Sequence, residues 1–566
     1  MLYSNLRLNL GKSAVILLAA VCFNSLMVKK ANGNEYTPIA QDNLSVEQTS
    51  NSEEIQVFCS TVLNQKKLQK IFPDLIITST DSASDNEATS LTNCPQQVLI
   101  LRSEQPNNLI QNRSQIAETI TKYYIENGYI NSRAILYQTN DILIDEGQVT
   151  VTVEGTNRLK KYVQSRIASG ANPFNTRTIE DRLRLLKADP LFDNIEATLK
   201  PNEETNTSEL VVNVTEANSF FGSFGVDNYS PPSVGGEKLN FQLGYRNLTG
   251  TGDTFAIAYS PRLEEFDGTY DLSFNYQLPL NSMDGTLNLG VDINRNEVIQ
   301  SQFESSDITG ESETYSISYR QPLILTPRQE LALSAGFSYR DGQTFIFQNG
   351  FPFGQGPDED GVSKTSVFNF GQDYTLRDTA GAWGFRSLFR FGVGIFDATD
   401  NEPPVPDSEF FSWLAQIQRV QVLSDNNFLI IQADLQLTPN SLLPSEQFAI
   451  GGGQSVRGYR QNVLVGDNGF RFLIEDRITI VKNEADQPVF VVAPFFNMGA
   501  VWNKDNNPNT VPEDNFIAAL GLGLLWEPVQ GLNLRLDYAP PLIDLENDNG
   551  YDIQDDGLHF SASYSF

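Results

Sequence analysis

Two short runs carry most of the chemistry this chain offers: the glycine-rich segment Gly451-Gly452-Gly453-Gln454-Ser455-Val456-Arg457-Gly458-Tyr459 and the aromatic run Phe495-Phe496-Asn497-Met498-Gly499. Neither is catalytic in type. A phosphate loop follows its glycines with Gly-Lys-Ser/Thr, and a nucleophile elbow needs a second glycine that Gln454-Ser455-Val456 lacks. His559 is the only histidine, so Ser-His-Asp and Cys-His catalysis have little to draw on, and a His/Cys metal set falls short of ligands. Carboxylate pairs are unavoidable among 70 Asp+Glu and carry no enzymatic signal. The sequence therefore predicts no catalytic residue, no metal ligand and no cofactor. What an arginine beside glycine can do is anchor. Its planar five-donor group bridges carboxylate or carbonyl acceptors on two strands, as a lysine cannot.

Charge narrows the partners. With 39 Lys+Arg against 70 Asp+Glu the formal net charge is -31, the wrong sign for a nucleic-acid binder. At the start, Arg7 and Lys12 precede the apolar stretch Ser13 to Val28, followed by Lys29-Lys30 and an Ala31-Asn32-Gly33 site with small residues at the -3 and -1 positions. Residues 1–33 read as a signal peptide. An uncleaved anchor is the alternative, but Phe23-Asn24-Ser25 interrupts a run already short for a membrane span. A lipoprotein site at Cys22 is weaker still, with Val21 where a small residue belongs. Cleavage would remove four basic and no acidic residues.

Export leaves Cys59 and Cys94, and two cysteines in an oxidising compartment favour a disulfide. It would pin the polar insertion Thr78 to Asn93, closing a loop of roughly 35 residues whose stabilisation is about 3 to 4 kcal/mol. Mass spectrometry of the non-reduced, exported protein is expected to find the two linked; free thiols at both would overturn the pairing.

The elements come in two styles. Residues 34–52 are polar and uneven, a leader or linker. From 53 to 217 the pattern is mixed α/β. Ser114 to Asn127 places Ile116, Ile120 and Tyr123 or Tyr124 on one helical face, with Gly128 as the stop, and Val149, Val151 and Val153 alternate before Glu154-Gly155. A second unit, 156–217, repeats the scheme with a helix over Thr178 to Ala188, a stop at Asp189-Pro190, and strands at Ile195/Ala197/Leu199 and Leu210/Val212/Val214.

Beyond 217 the helical period disappears. Sixteen candidate strands start near 219, 237, 252, 268, 283, 310, 329, 362, 383, 409, 426, 468, 488, 516, 531 and 557, each apolar on one face and polar on the other. Leu558, Phe560, Ala562, Tyr564 and Phe566, for instance, interleave with His559, Ser561, Ser563 and Ser565. Alternation suits a soluble sandwich as well as a membrane barrel, but loop lengths decide. Connections after even strands are short (Asn247 to Asp253, Glu527 to Gly531). Those after odd strands are mostly long and acidic (Asn294 to Glu313, Asp341 to Gly361, Asp397 to Glu409, Ala539 to Gly557). Sorting by parity with an even strand count is expected of an outer-membrane barrel, whose apolar face meets lipid and whose polar face lines water. Residues 218–566 are therefore expected to form it, with a long loop, 439–467, before the strand near 468.

Two α/β modules followed by a sixteen-stranded barrel resemble the two-partner secretion transporters, the TpsB family of haemolysin and adhesin exporters, whose periplasmic modules are POTRA domains. Four stretches carry the resemblance: Tyr124 to Tyr129-Ile130 on to Glu154-Gly155; Arg182-Leu183-Arg184-Leu185-Leu186 to Asp189-Pro190-Leu191-Phe192; Val456-Arg457-Gly458-Tyr459 on the long loop; and Phe495-x-Asn497-x-Gly499 on the thirteenth strand. The resemblance implies α+β POTRA modules (53–155 and 156–217) followed by a transmembrane antiparallel β-barrel of 16 strands. It further implies that the long loop folds into the lumen and that its arginine meets the aspartate of a Phe-x-Asp-x-Gly motif. Here that aspartate is Asn497, so the pair is weaker or has another partner. Glu475, inward by alternation, is the candidate. Residues 34–52 also lack the amphipathic pattern of the family's pore-plugging helix.

The function implied is an outer-membrane pore that exports a large unfolded exoprotein from periplasm to cell surface without ATP. Its partners would be that client, outer-membrane lipid and, during biogenesis, a barrel-assembly machinery reading the terminal Phe566. The competing readings are a barrel-insertion machine of the same superfamily, which usually carries more POTRA modules, and a passive porin, which needs none.

Overall fold

The computed structural model describes residues 54–58, 60–80, 98–103, 109, 112–137, 141–201, 208–264, 266, 268–545 and 551–566. The signal peptide, the leader, Cys59, Cys94 and the insertion beyond Thr80 lie outside the described residues. Two units divide at Glu216 and Ala217.

The first unit holds two modules. In one, β1 (Glu54–Phe58), α1 (Gln65–Ile71), β2 (Ile76–Thr80), β3 (Val98–Arg102), α2 (Arg113–Glu126), β4 (Arg133–Tyr137) and β5 (Asp141–Asp145) form a sheet of order β2-β3-β1-β5-β4 beneath the helices. The start of the polar insertion, Thr78 to Thr80, is thus strand. Ile116, Ala117, Ile120 and Tyr124 bury the face of α2 against Ile55, Leu101 and Ile142, and Gly128, at φ 93°, turns the chain out of the helix. The Tyr124 hydroxyl donates to Glu146 (2.8 Å), whose carboxylate also accepts from the backbone of Thr61 and Val62. Burial, aided by Glu146, pushes that hydroxyl's pKa up, so it stays a donor.

In the other module, β6 (Val149–Glu154), α3 (Lys160–Ile167), α4 (Thr176–Ala188), β7 (Phe192–Pro201) and β8 (Ser208–Glu216) form the sheet β6-β8-β7. The boundary expected at 155 is therefore corrected: β6 runs parallel to β8 and sends Val149 and Val153 into the second core, so the division precedes Val149. Alternation marks a strand but not which sheet receives it. The modules are joined by capping. The carbonyls of Glu126, Asn127 and Gly128, orphaned at the end of α2, accept from Arg177, Asn175 and Thr176 at the start of α4. Asn175 also accepts from the Thr178 amide as N-cap, so Asn175→Ala is expected to cost about 1 kcal/mol and to speed amide exchange in the first turn of α4 of the full chain.

The second unit is a closed barrel. Strands one to sixteen are Phe220–Asp227, Lys238–Arg246, Thr254–Pro261, Tyr270–Pro279, Thr286–Glu297, Ile308–Leu325, Gln329–Ile346, Val362–Asp378, Gly381–Gly392, Phe411–Ser424, Asn427–Leu437, Asn468–Lys482, Pro488–Trp502, Phe516–Trp526, Leu532–Tyr538 and Leu558–Ser565. Every neighbouring pair is antiparallel, and strand sixteen closes on strand one with Ala562 opposite Val226. Closure leaves no edge for lipid to meet. Connections after even strands have two to seven residues and those after odd strands eight to thirty, so the parity read from the sequence holds throughout. The stretches Asn294 to Glu313 and Asp341 to Gly361 are shorter as loops than expected. Strands five to seven continue through Glu297, from Ile308 and through Ile346, because polar residues above the bilayer still ladder with one another, as Glu313 does with Asp341. Leu520, Leu522, Leu536 and Tyr538 are exposed on the outer face, whereas Asn497, Asp537 and His559 are buried on the inner one.

Candidate functional site

The connection between strands eleven and twelve, residues 438–467, turns inward and fills part of the lumen. It begins as one arm of a short ribbon, Phe448–Ile450 paired with Leu464–Gly466. Gly451 and Gly452, both at positive φ, reverse the chain between the arms. Its near end is tied to the wall by Glu446, which accepts from Thr365 on strand eight and pairs with Arg390 on strand nine. Its far end reaches the seam side, where Arg460 pairs with Asp555 (2.5 Å).

Arg457 is the centre. Only 3% of the residue is exposed, and its Nη1 donates to Glu475 (2.8 Å) on strand twelve and to Asp537 (3.1 Å) on strand fifteen. The guanidinium carbon sits over the Phe495 ring, 3.2 Å from its centroid, while Nε and the backbone N–H both donate to Asn497 Oδ1. Asn497 is not simply a weakened aspartate. Its Nδ2 returns hydrogen bonds to the carbonyls of Arg457 (3.2 Å) and Ala519 (3.3 Å), which a carboxylate has no proton to make.

The strand-thirteen motif thus divides its work. Phe495 supplies the platform, Asn497 clamps the loop backbone, and Gly499 leaves room for Ile450, which a Cβ would approach to 3.2 Å. The loop motif does likewise. Val456 is wholly buried in the apolar cluster with Ile450, Ile517 and Ala539. Gly458, at φ 101°, passes so close to strand fifteen's exit that a Cβ would sit 2.6 Å from Ala539 O and 2.8 Å from Ala519 Cβ. Its N–H donates to Nε2 of His559 (3.3 Å). Tyr459 is buried beyond it.

Sequence reasoning brought Arg457 and Glu475 together and missed the rest of the cluster. Arg477 pairs with Glu475 (2.6 Å), and Arg535 holds both Glu475 (3.0 Å) and Asp537 (2.6 Å), so three guanidinium groups share two carboxylates. Arg535, Asp537 and His559 all lie on inward positions of alternating strands, and that was the available signal. Phe566 is half-exposed on the outer face, its ring 5.9 Å from Phe220.

A profile described as "Haemolysin secretion/activation protein ShlB/FhaC/HecB" matches residues 206–525, more than half of the chain. The chain belongs to this family. It is a family of secretion proteins rather than of enzymes, and its barrel is an outer-membrane barrel. The outer membrane transporter CdiB of Dickeya dadantii is 26% identical over 382 residues, covering 64% of this chain and 65% of that protein. The Escherichia coli outer membrane transporter CdiB is 22% identical over 440 residues, covering 74% and 70% respectively. Among solved structures, CdiB from Escherichia coli superposes with a TM-score of 0.69 at 17% identity over 93% of each chain. BamA from Haemophilus ducreyi, lacking POTRA domains 1–3, reaches 0.51 at 14% identity over 81% of this chain and 94% of that one. The architecture of these solved neighbours, POTRA modules followed by a barrel, is the one described above, here with sixteen strands.

Proposed function

We propose that this protein exports an unfolded partner exoprotein from the periplasm through its barrel to the cell surface, with loop 439–467 as the gate and Arg457 as its latch. The observation that carries this reading is the burial of Arg457 between two wall carboxylates at the tip of a long loop inside an otherwise polar lumen. A loop needed only for structure has no reason to bury a guanidinium at such desolvation cost; a latch has to be specific and breakable. Relatives named outer membrane transporters support the reading.

Capture would use a sheet edge. Among the described residues β4 is the last strand of its sheet, pairs only with β5, and exposes Ile135 and Leu136, so an extended client adds there by backbone hydrogen bonding. Folding of the client outside then gives the passage its direction without nucleotide. Deleting the gene should eliminate one large secreted protein and leave other barrels in place; a general loss of barrels would point to an insertase instead.

Phe566 serves assembly in this reading. Its backbone exchanges hydrogen bonds with Gly222 (3.0 and 3.2 Å), making it the last rung of the seam with strand one, and its ring is free to be read beforehand. Removing Phe566 is expected to lower the amount of protein in the outer membrane more than the activity per molecule that arrives. Unchanged levels on quantitative immunoblots would count against it.

A further inference from the structure

Strand fifteen ends early, and what replaces its ladder is not part of the wall. Strand fourteen runs Phe516–Trp526, but its regular pairing with strand fifteen covers only Leu522 to Trp526. Past Tyr538 comes Ala539-Pro540-Pro541. The register that pairs Leu522 with Tyr538 and bridges Ala519 to Pro541 sets Pro540 opposite Leu520 and Leu542 opposite Ala518. Proline has no N–H to give to a ladder. One rung survives beyond the prolines, from Leu542 N–H to Ala518 O (2.9 Å).

The missing partner of that rung comes from the loop. The Tyr459 hydroxyl lies between the two strands' backbones, donating to Ala518 O (2.7 Å) and accepting from the N–H groups of Ala518 and Ile543, both at 3.2 Å; Ile543 O is 3.0 Å away. A phenol has one proton to donate and two lone pairs to accept with, so it satisfies both amides and one carbonyl at once. Ala518 is buried and Ile543 partly so, and a buried amide left unpaired costs more than a bond lost in water. The side chain is buried, with 5% exposed, and its backbone is adjacent to Gly458 and Arg457.

We propose that Tyr459 is a positioning residue of the barrel wall: its hydroxyl is a removable rung between strand fourteen and residues 541–543, so that unseating the loop and loosening this stretch of wall are a single event. The gate would then not only vacate the lumen but widen it on one side. This goes beyond the latch reading, which needs only Arg457. It rests on the loop being displaceable.

The test is site-resolved amide hydrogen exchange on the purified full chain in lipid nanodiscs, with no client present, so its outcome is separable from that of any secretion assay. Tyr459→Phe keeps the ring and removes the hydroxyl. The amides of Ala518 and Ile543 are expected to exchange about tenfold faster or more, while those of Val491 and Ala493 at the far end of strand thirteen are unchanged. Unaltered exchange at Ala518 and Ile543 overturns the proposal, because a tyrosine that merely packs is replaced by phenylalanine without effect there. The second variant, Arg457→Ala, retains the hydroxyl. If protease cleavage within 451–462 shows the loop displaced, the same two amides should lose protection; a displaced loop with both still protected overturns the coupling.

Discussion

Arg457→Ala is expected to abolish client secretion or reduce it by at least tenfold, while the amount and heat-resistance of the folded barrel stay close to wild type. The asymmetry follows from who else holds the carboxylates. Removing one partner of a buried ion pair ordinarily costs about 3 to 5 kcal/mol because the other charge is stranded. Here Glu475 keeps Arg477 and Arg535, and Asp537 keeps Arg535. The wall thus remains neutralised, and the loss falls on the loop: two charge-assisted hydrogen bonds, the Nε bond to Asn497 and the guanidinium's contact with the Phe495 ring. The alanine variant keeps the two backbone bonds to Asn497, from its N–H and to its carbonyl. A loop no longer seated has no closed state to leave in response to a client. Wild-type secretion by Arg457→Ala would remove the latch. Asn497→Asp trades two donated bonds for a third carboxylate beside three arginines, one of which, Arg457, has its Nη2 unpartnered; secretion is expected to persist.

Glu475→Ala should do the opposite and damage the wall first. That carboxylate is shared by Arg457, Arg477 and Arg535, and without it Asp537 remains the partner of Arg457 and Arg535 alone. Arg477, whose ion pair is with Glu475, becomes an uncompensated charge on the inner face. A loss of about 3 to 5 kcal/mol is expected, read as a lower temperature for the shift from folded to unfolded mobility on semi-native gels. Glu475→Asp, one methylene shorter, should recover part of it. If Glu475→Ala barrels melt like wild type while secretion is lost, the carboxylate serves the loop alone.

The barrel was legible because the bilayer leaves so few options. Alternation along each strand and parity of loop length are both forced by spanning, and each strand start read from the sequence lies within three residues of the observed one. The modules were less legible. α3 opens on Lys160-Lys161-Tyr162 with a short apolar stripe, and β1 to β5 are five-residue strands buried on irregular faces. In the site, inward alternation gave Glu475. It gave Asp537 equally, but nothing in the sequence says that strands twelve and fifteen meet around one guanidinium. That depends on how deep the loop goes, which small residues on strand fourteen permit: a Cβ at Gly521 would strike the Phe495 ring at 2.4 Å, and one at Gly523 the Asp537 carboxylate at 2.5 Å. Asn497, judged from the motif alone as a deficit, uses its amide fully.

Strands six to eight, at 17 or 18 residues, are about twice as long as strands one to three or fifteen and sixteen, at 7 to 9. At about 3.3 Å per residue and a tilt near 40°, the long ones climb roughly 45 Å against an apolar band of about 25 Å. The mouth of this barrel is therefore cut on a slant, like a spout. Its high side stands clear of the headgroups, and its low lip is formed by strands near the seam, beside the wall against which Arg457 and Tyr459 are seated. A chain leaving the pore would be turned over that lip, away from the tall side, so its first folded portion would form off-axis and pull at an angle on the length of chain still inside.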